Sequence, residues 1–191
     1  MKNRNSSIVF MFFLSSLLFV SCDNEPLDPT LKSQLASGVL NPSTGGSTPT
    51  TSAITGTYLL TAFNSSVPTD LNGDGTSSTN QMSETTCFNN SNFILNANNT
   101  FISNSKGIDI DATVTPNVLT CFTDPDVTGT WVLNGTTLTT TYVDAGITYN
   151  DVFSVIGNTL VLTAANGSVV GMVGGNPVTL TADLTLIYSK Q

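Results

Sequence analysis

Thr179-Leu180-Thr181-Ala182-Asp183-Leu184-Thr185-Leu186-Ile187-Tyr188 is the stretch that decides the fold. Leu180, Ala182, Leu184, Leu186 and Tyr188 fall on one face of an extended chain, and Thr179, Thr181, Asp183 and Thr185 on the other. Side chains of a strand point alternately to its two faces, so the run reads as a half-buried antiparallel strand with an apolar inner side.

The same period of two extends back to Ile54. Tyr58, Leu60 and Ala62 alternate with Thr57, Leu59 and Thr61 in the first run. Further runs are 88–97, 100–105, 113–122, 129–133, 136–143, 147–156 and 158–164. Between them stand Asn98-Asn99, Asn134-Gly135 and Gly157-Asn158. Gly and Asn tolerate the positive φ that tight hairpin turns require, so neighbouring runs are predicted to pair as hairpins. The apolar, Gly-rich stretch from Asn166 to Val178 reads as one more hairpin turning at Gly174-Gly175, or else as a lid over a barrel mouth. No stretch from Ile54 to Gln191 carries a sustained helical period. Consecutive hairpins make a meander, and about eight strands close best into a barrel, which removes exposed edges. The expected fold is therefore all-β: a small antiparallel up-and-down barrel over residues 54–191.

The chain has 191 residues, 5 Lys+Arg, 13 Asp+Glu, no His and a formal net charge of -8. Without His there is no imidazole base, no His-held metal and no Ser-His-Asp triad. So few cations exclude binding to a phosphate backbone, and no nucleic-acid partner is expected.

The N-terminus reads as an address. Lys2 and Arg4 precede the apolar run Ile8–Val20, which is too short for the ~20 residues of a spanning helix and fits a secretory signal peptide. The run ends Val20-Ser21-Cys22, which resembles the lipobox of bacterial lipoproteins. That resemblance implies a signal peptide over 1–21, cleavage before Cys22, a diacylglycerol on its sulfur, and a lipid anchor in the cell outer membrane, facing the periplasm or the surface. Pro26, Pro29, Pro42 and Pro49, with the Ser/Thr/Gly-rich segment 43–52, mark residues 22–53 as a tether.

Gly56-Thr57-Tyr58 opens the barrel segment. Gly129-Thr130-Trp131-Val132-Leu133-Asn134-Gly135-Thr136-Thr137-Leu138 follows a Leu95-Asn96-Ala97-Asn98-Asn99-Thr100-Phe101 hairpin. Together these resemble the lipocalin-like domains of Bacteroidetes-type lipoproteins, over roughly Ile54 to Tyr188. The resemblance implies an eight-stranded barrel with one open mouth. Tyr58 stands where that family usually has Trp, and only Lys190 can take the place of the basic residue that closes the barrel bottom.

Three constellations carry possible chemistry. With Cys22 lipidated, Cys87 and Cys121 are left as an even pair in an exported chain, and a structural disulfide is expected. Asp70, Asn72 and Asp74 occupy positions one, three and five of a calcium-loop pattern with Gly75 at six. The Thr76 carbonyl and Ser78 would add ligands. Position twelve is Gln81, so Glu84 could close the set only along a different loop path; a polar surface loop without metal is the alternative. Asp109 with Asp111 and Asp124 with Asp126 are carboxylate pairs of neighbours, not residues opposed across a cleft, so no catalytic residue is assigned and no enzyme is expected. Trp131 and the phenylalanines read as barrel filling.

The functional expectation is a lipid-anchored, non-enzymatic envelope barrel that binds a small apolar ligand or a partner. A structural or adhesive module with a filled barrel is the alternative. Cys22→Ala should abolish labelling by a palmitate analogue and release the protein from the membrane fraction; a variant that still labels would refute the anchor.

Overall fold

The computed structural model describes residues 49–115 and 117–191. The signal peptide expected at 1–21, the lipidation expected at Cys22 and most of the tether expected over 22–53 fall outside them. Eleven strands and two single helical turns follow one another: α1 (Thr51–Ile54), β1 (Gly56–Thr69), β2 (Ser78–Asn80), α2 (Gln81–Glu84), β3 (Asn92–Leu95), β4 (Thr100–Asn104), β5 (Lys106–Asp111), β6 (Val118–Thr123), β7 (Val127–Asn134), β8 (Thr137–Asp144), β9 (Ile147–Ile156), β10 (Thr159–Val173) and β11 (Asn176–Lys190). Eight of the strands close an antiparallel barrel in the order β1-β3-β4-β7-β8-β9-β10-β11, with β11 paired back onto β1 from Tyr58↔Lys190 to Ser65↔Leu184. The all-β barrel expected from the alternation is the fold observed.

The meander is interrupted twice. Residues 70–91, with β2 and α2, lie between β1 and β3, and the β5–β6 hairpin lies between β4 and β7 as a separate two-stranded sheet. Both insertions leave the barrel at the end where β1 and β4 finish. Among the described residues, the opposite end has short turns, the α1 turn and Gln191.

Local chemistry explains where the strands depart from the simple alternation. The 113–122 run is not one strand. Asp111 Oδ1 accepts from both the backbone N–H (2.9 Å) and the hydroxyl (2.6 Å) of Thr113, which turns the chain, and β6 begins only at Val118. The 88–97 run is strand only over Asn92–Leu95, because Ser91 N–H closes a turn onto Phe88 O at 3.2 Å. In β1 a bulge between Leu60 and Ala62 resets the register, so Leu60 and Phe63 face inward and Ala62 does not take the predicted inner position. The Asn166–Val178 stretch is the predicted hairpin, with Gly174 and Gly175 at φ 59° and 79°, a pair of left-handed residues that only glycine adopts without strain.

Along β11, Ala182, Leu184 and Tyr188 are buried, with Leu180 and Leu186 packed beside them, as the alternation requires. The bottom is closed where the chain enters. Ile54 of α1 is 1% exposed, Tyr58 Oη donates to its carbonyl at 2.7 Å, and Lys190 Nζ donates to Ala53 O at 2.7 Å.

Cys87 and Cys121 form the predicted disulfide, 34 residues apart, joining the segment after α2 to β6. The β5–β6 sheet has no ladder bonds to the barrel. Its attachments include this bond, the buried side chain of Ile108 with Ile110 and Leu119 packed against the core, and a 3.1 Å bond from Lys106 N–H to Ser91 Oγ. An isolated hairpin is marginal in water, so the disulfide carries much of its order. Replacing both cysteines by Ser should cost about 3–4 kcal/mol of stability. Hydrogen exchange should quicken in β5–β6 while β7–β10 stays protected; uniform acceleration across the barrel would contradict this division.

Candidate functional site

The barrel lumen is the first place to look for a site, and the alternation fills it with rings. Phe93 stacks on Phe101 with centroids 4.9 Å apart, and meets Phe153 at 5.3 Å and Tyr188 at 6.1 Å. Phe153 in turn packs against Tyr188 at 6.4 Å. Trp131 is 2% exposed, and its Nε1 donates to Asn96 O (3.2 Å) and Thr100 O (3.0 Å), so the indole is fixed at both its apolar and polar parts. Gly129 makes this packing possible. A Cβ there would stand 2.6 Å from Phe101 Cε1 and 3.0 Å from Tyr142 Cβ, so only glycine lets the Phe101 ring lie over β7.

Toward the end with the insertions, the β8–β9 side of the lumen carries polar groups, while Phe63 and Phe88 pack edge to face at 4.9 Å under the 70–91 insertion. Tyr142 and Tyr149 stack with centroids 5.5 Å apart, and Phe101 meets Tyr142 edge-on at 6.3 Å. Asp151 lies beside them on the inner face of β9. Burial pushes its carboxyl above the usual carboxylate range, and a hydrogen bond from Tyr142 partly opposes that rise. Burial, followed by the Asp151 charge, raises the phenols of Tyr142 and Tyr188. The alternation of β9 put Tyr149, Asp151, Phe153 and Val155 on one face, but an acid in such a row reads as solvent-facing, and the sequence reading passed over it.

The 70–84 segment arranges its oxygens around its own backbone. Asp70 Oδ1 and Oδ2 accept from Gly73 N–H (2.8 Å) and Gly75 N–H (2.9 Å), Asn72 Oδ1 from Asp74 N–H (2.9 Å), and Asp74 Oδ1 from Thr76 N–H (2.7 Å). Ser78 Oγ accepts from Asn80 N–H and is bonded to Ser83. Gln81 is fully buried, its Oε1 taken by the Thr69 hydroxyl at 2.8 Å. Glu84 is buried and accepts from Leu71 N–H at 3.2 Å, which brings it back to the start of the loop. A cation here would share oxygens with these amides, with Asp70, Asn72 and Asp74 as its side-chain ligands. Among the described residues, no three His, Cys, Asp or Glu side chains form a group able to hold a metal ion.

The remaining carboxylates serve their turns. Asp109 accepts from Ile110 N–H, Asp111 is held low by its bonds from Thr113, and Asp126 accepts from Asn104 Nδ2 at 2.8 Å. Burial raises Asp124, with the Asp144 charge adding to it.

Outside the barrel, an open cleft of about 390 Å3 lies between the 86–90 segment and β6, lined by Lys106 and by both cysteines of the disulfide. The sequence paired the cysteines but gave no sign of this concavity. Comparison with protein-family models, curated proteins and solved structures gives no match.

Asp151 generates a test with a definite sign. A carboxyl raised by folding is penalised when ionised, so its effect is absent below its unfolded value, about 3.9. The penalty grows as pH rises through the folded value and is constant above it. Asp151→Asn should therefore raise Tm at pH 7, and the gain should shrink toward pH 4. About 1 kcal/mol corresponds to roughly 2–4 °C in a chain of this size. A variant that is less stable than the parent at pH 7 would contradict the assignment.

Proposed function

We propose that the protein is a lipid-anchored envelope module of the lipocalin-like kind, without enzymatic activity, whose barrel is a filled scaffold and whose contacts with a partner are made from outside. The observation that carries this reading is the ring packing of Phe93, Phe101, Phe153, Tyr188 and Trp131 across the lumen. A small apolar ligand would have to displace several of these rings, and each large side chain removed from a packed core costs about 3–5 kcal/mol.

Two further observations support the reading. The disulfide suits an exported chain, as the signal peptide and Cys22 require. The outward positions of β7, β8 and β9 carry no charge, and on them Val132, Val143, Val152 and Ile156 are between 46% and 67% exposed. Val132, Thr139 and Val152 lie directly across from one another on the three strands. Exposed apolar residues gathered on one face mark contact surfaces more often than scattered ones do.

Native mass spectrometry of the full chain from its own membranes tests both halves. The expected species has the mass of the acylated chain from Cys22 with no small molecule attached. A stoichiometric apolar companion would overturn the filled scaffold, and a chain without acyl mass would overturn the anchor.

A further inference from the structure

We propose that the cleft between the 86–90 segment and β6 binds a small sugar acid: a monocarboxylate on a hydroxylated body. This goes beyond the reading of the protein as a surface module and does not depend on the anchor.

The chemistry of the lining points to the ligand. Thr86, Asn89, Asn90 and Thr123 supply hydroxyl and amide groups, and Lys106 is the sole charged residue that lines the cleft. Lys106 and Lys190 are the two cations among the described residues, and Lys190 is engaged with Ala53 O at the far end of the barrel. A chain of net charge -8 thus has a lysine, and no carboxylate, lining this concavity. One ammonium offsets one negative charge. A dianion such as a phosphate would bring a second, uncompensated charge into an acidic field, whereas a monocarboxylate would not. Amides and hydroxyls both donate and accept, which suits the hydroxyls of a sugar.

The site is also held in place before any ligand arrives. The Cys87–Cys121 bond ties one wall to the other, and Lys106 N–H donates to Ser91 Oγ at 3.1 Å. Asn89 N–H closes a turn on Thr86 O at 3.0 Å, and Asn90 is held at φ 65°, a conformation uncommon for a residue with a side chain. Walls fixed in this way lose little freedom on binding.

The test is a titration of the full chain, labelled with 15N, with galacturonate, galactose and inorganic phosphate. Galacturonate should move the Asn89 and Asn90 signals and bind about 1.4- to 5-fold more tightly than galactose, the range expected of one exposed ion pair. Lys106→Gln should erase that preference and leave galactose binding unchanged, with the β7–β10 signals reporting that the fold is intact; Lys106→Arg should keep the preference. Equal binding of the two sugars by the parent protein, or an undiminished preference in Lys106→Gln, would overturn the proposal. So would phosphate binding more tightly than galacturonate.

Discussion

The closure of β1 on β11 is the constraint on which everything else depends. It joins the first strand of the sheet to the last across 126 residues, as the bond from the Thr61 hydroxyl to Ile187 O shows. Until it forms, Tyr58, Leu60, Leu184 and Tyr188 face water from two unpaired edges. Once formed, it creates the lumen in which Phe93, Phe101, Phe153 and Tyr188 meet. Contacts this distant in sequence repay their loop entropy only late in folding, so the short hairpins β3–β4, β7–β8 and β8–β9 are expected to form first.

Filling the lumen with rings sets the limits on its polar end. Thr140 and Asp151 sit on inner faces of β8 and β9, one layer below the stacked Tyr142 and Tyr149. An inward acid with no cation beside it costs stability when ionised, and the Tyr142 hydroxyl offsets part of that cost. The barrel therefore accepts a destabilising group toward the end with the insertions, while Ile54, Tyr58 and Trp131 are buried toward the other.

How much could be read from the chain follows from where each residue faces. β11 was legible because one side meets solvent and the other the rings, so Thr and Leu alternate cleanly. The Cys87–Cys121 pairing was legible from the count of cysteines once the apolar N-terminal run is read as a signal for export. The bulge after Leu60 was not, since Thr61-Ala62-Phe63 keeps a plausible alternation whichever residue is skipped. Asp151 was hidden for the opposite reason: the alternation was visible, but a charge argues for the outer face. β5 escaped because its inward residues, Ile108 and Ile110, are interleaved with Asp109 and Asp111 in a sheet covered on only part of one side. The cleft at Lys106 depends on two segments brought together by the disulfide, and no local pattern encodes such a meeting.

The two ends of the barrel divide the work. The β3–β4, β7–β8 and β9–β10 turns, the α1 entry and Lys190 lie at one end. At the other lie both insertions, the disulfide, the cleft and the acids Asp70, Asp74, Glu84, Asp109, Asp111, Asp124, Asp126 and Asp144. An insertion can leave a closed antiparallel barrel only where a strand ends, and both insertions here follow strands, β1 and β4, that finish at the same end. The chain enters the domain at the end that carries Lys190. With an anchor at Cys22, the acidic end would be the one more free to face away from anionic headgroups, where repulsion would otherwise oppose its approach. The cleft on that acidic end is lined by Lys106 and by no carboxylate, although Asp124 follows Thr123 of its wall. This contrast, more than the size of the cleft, gives a singly charged ligand a reason to settle beside Lys106.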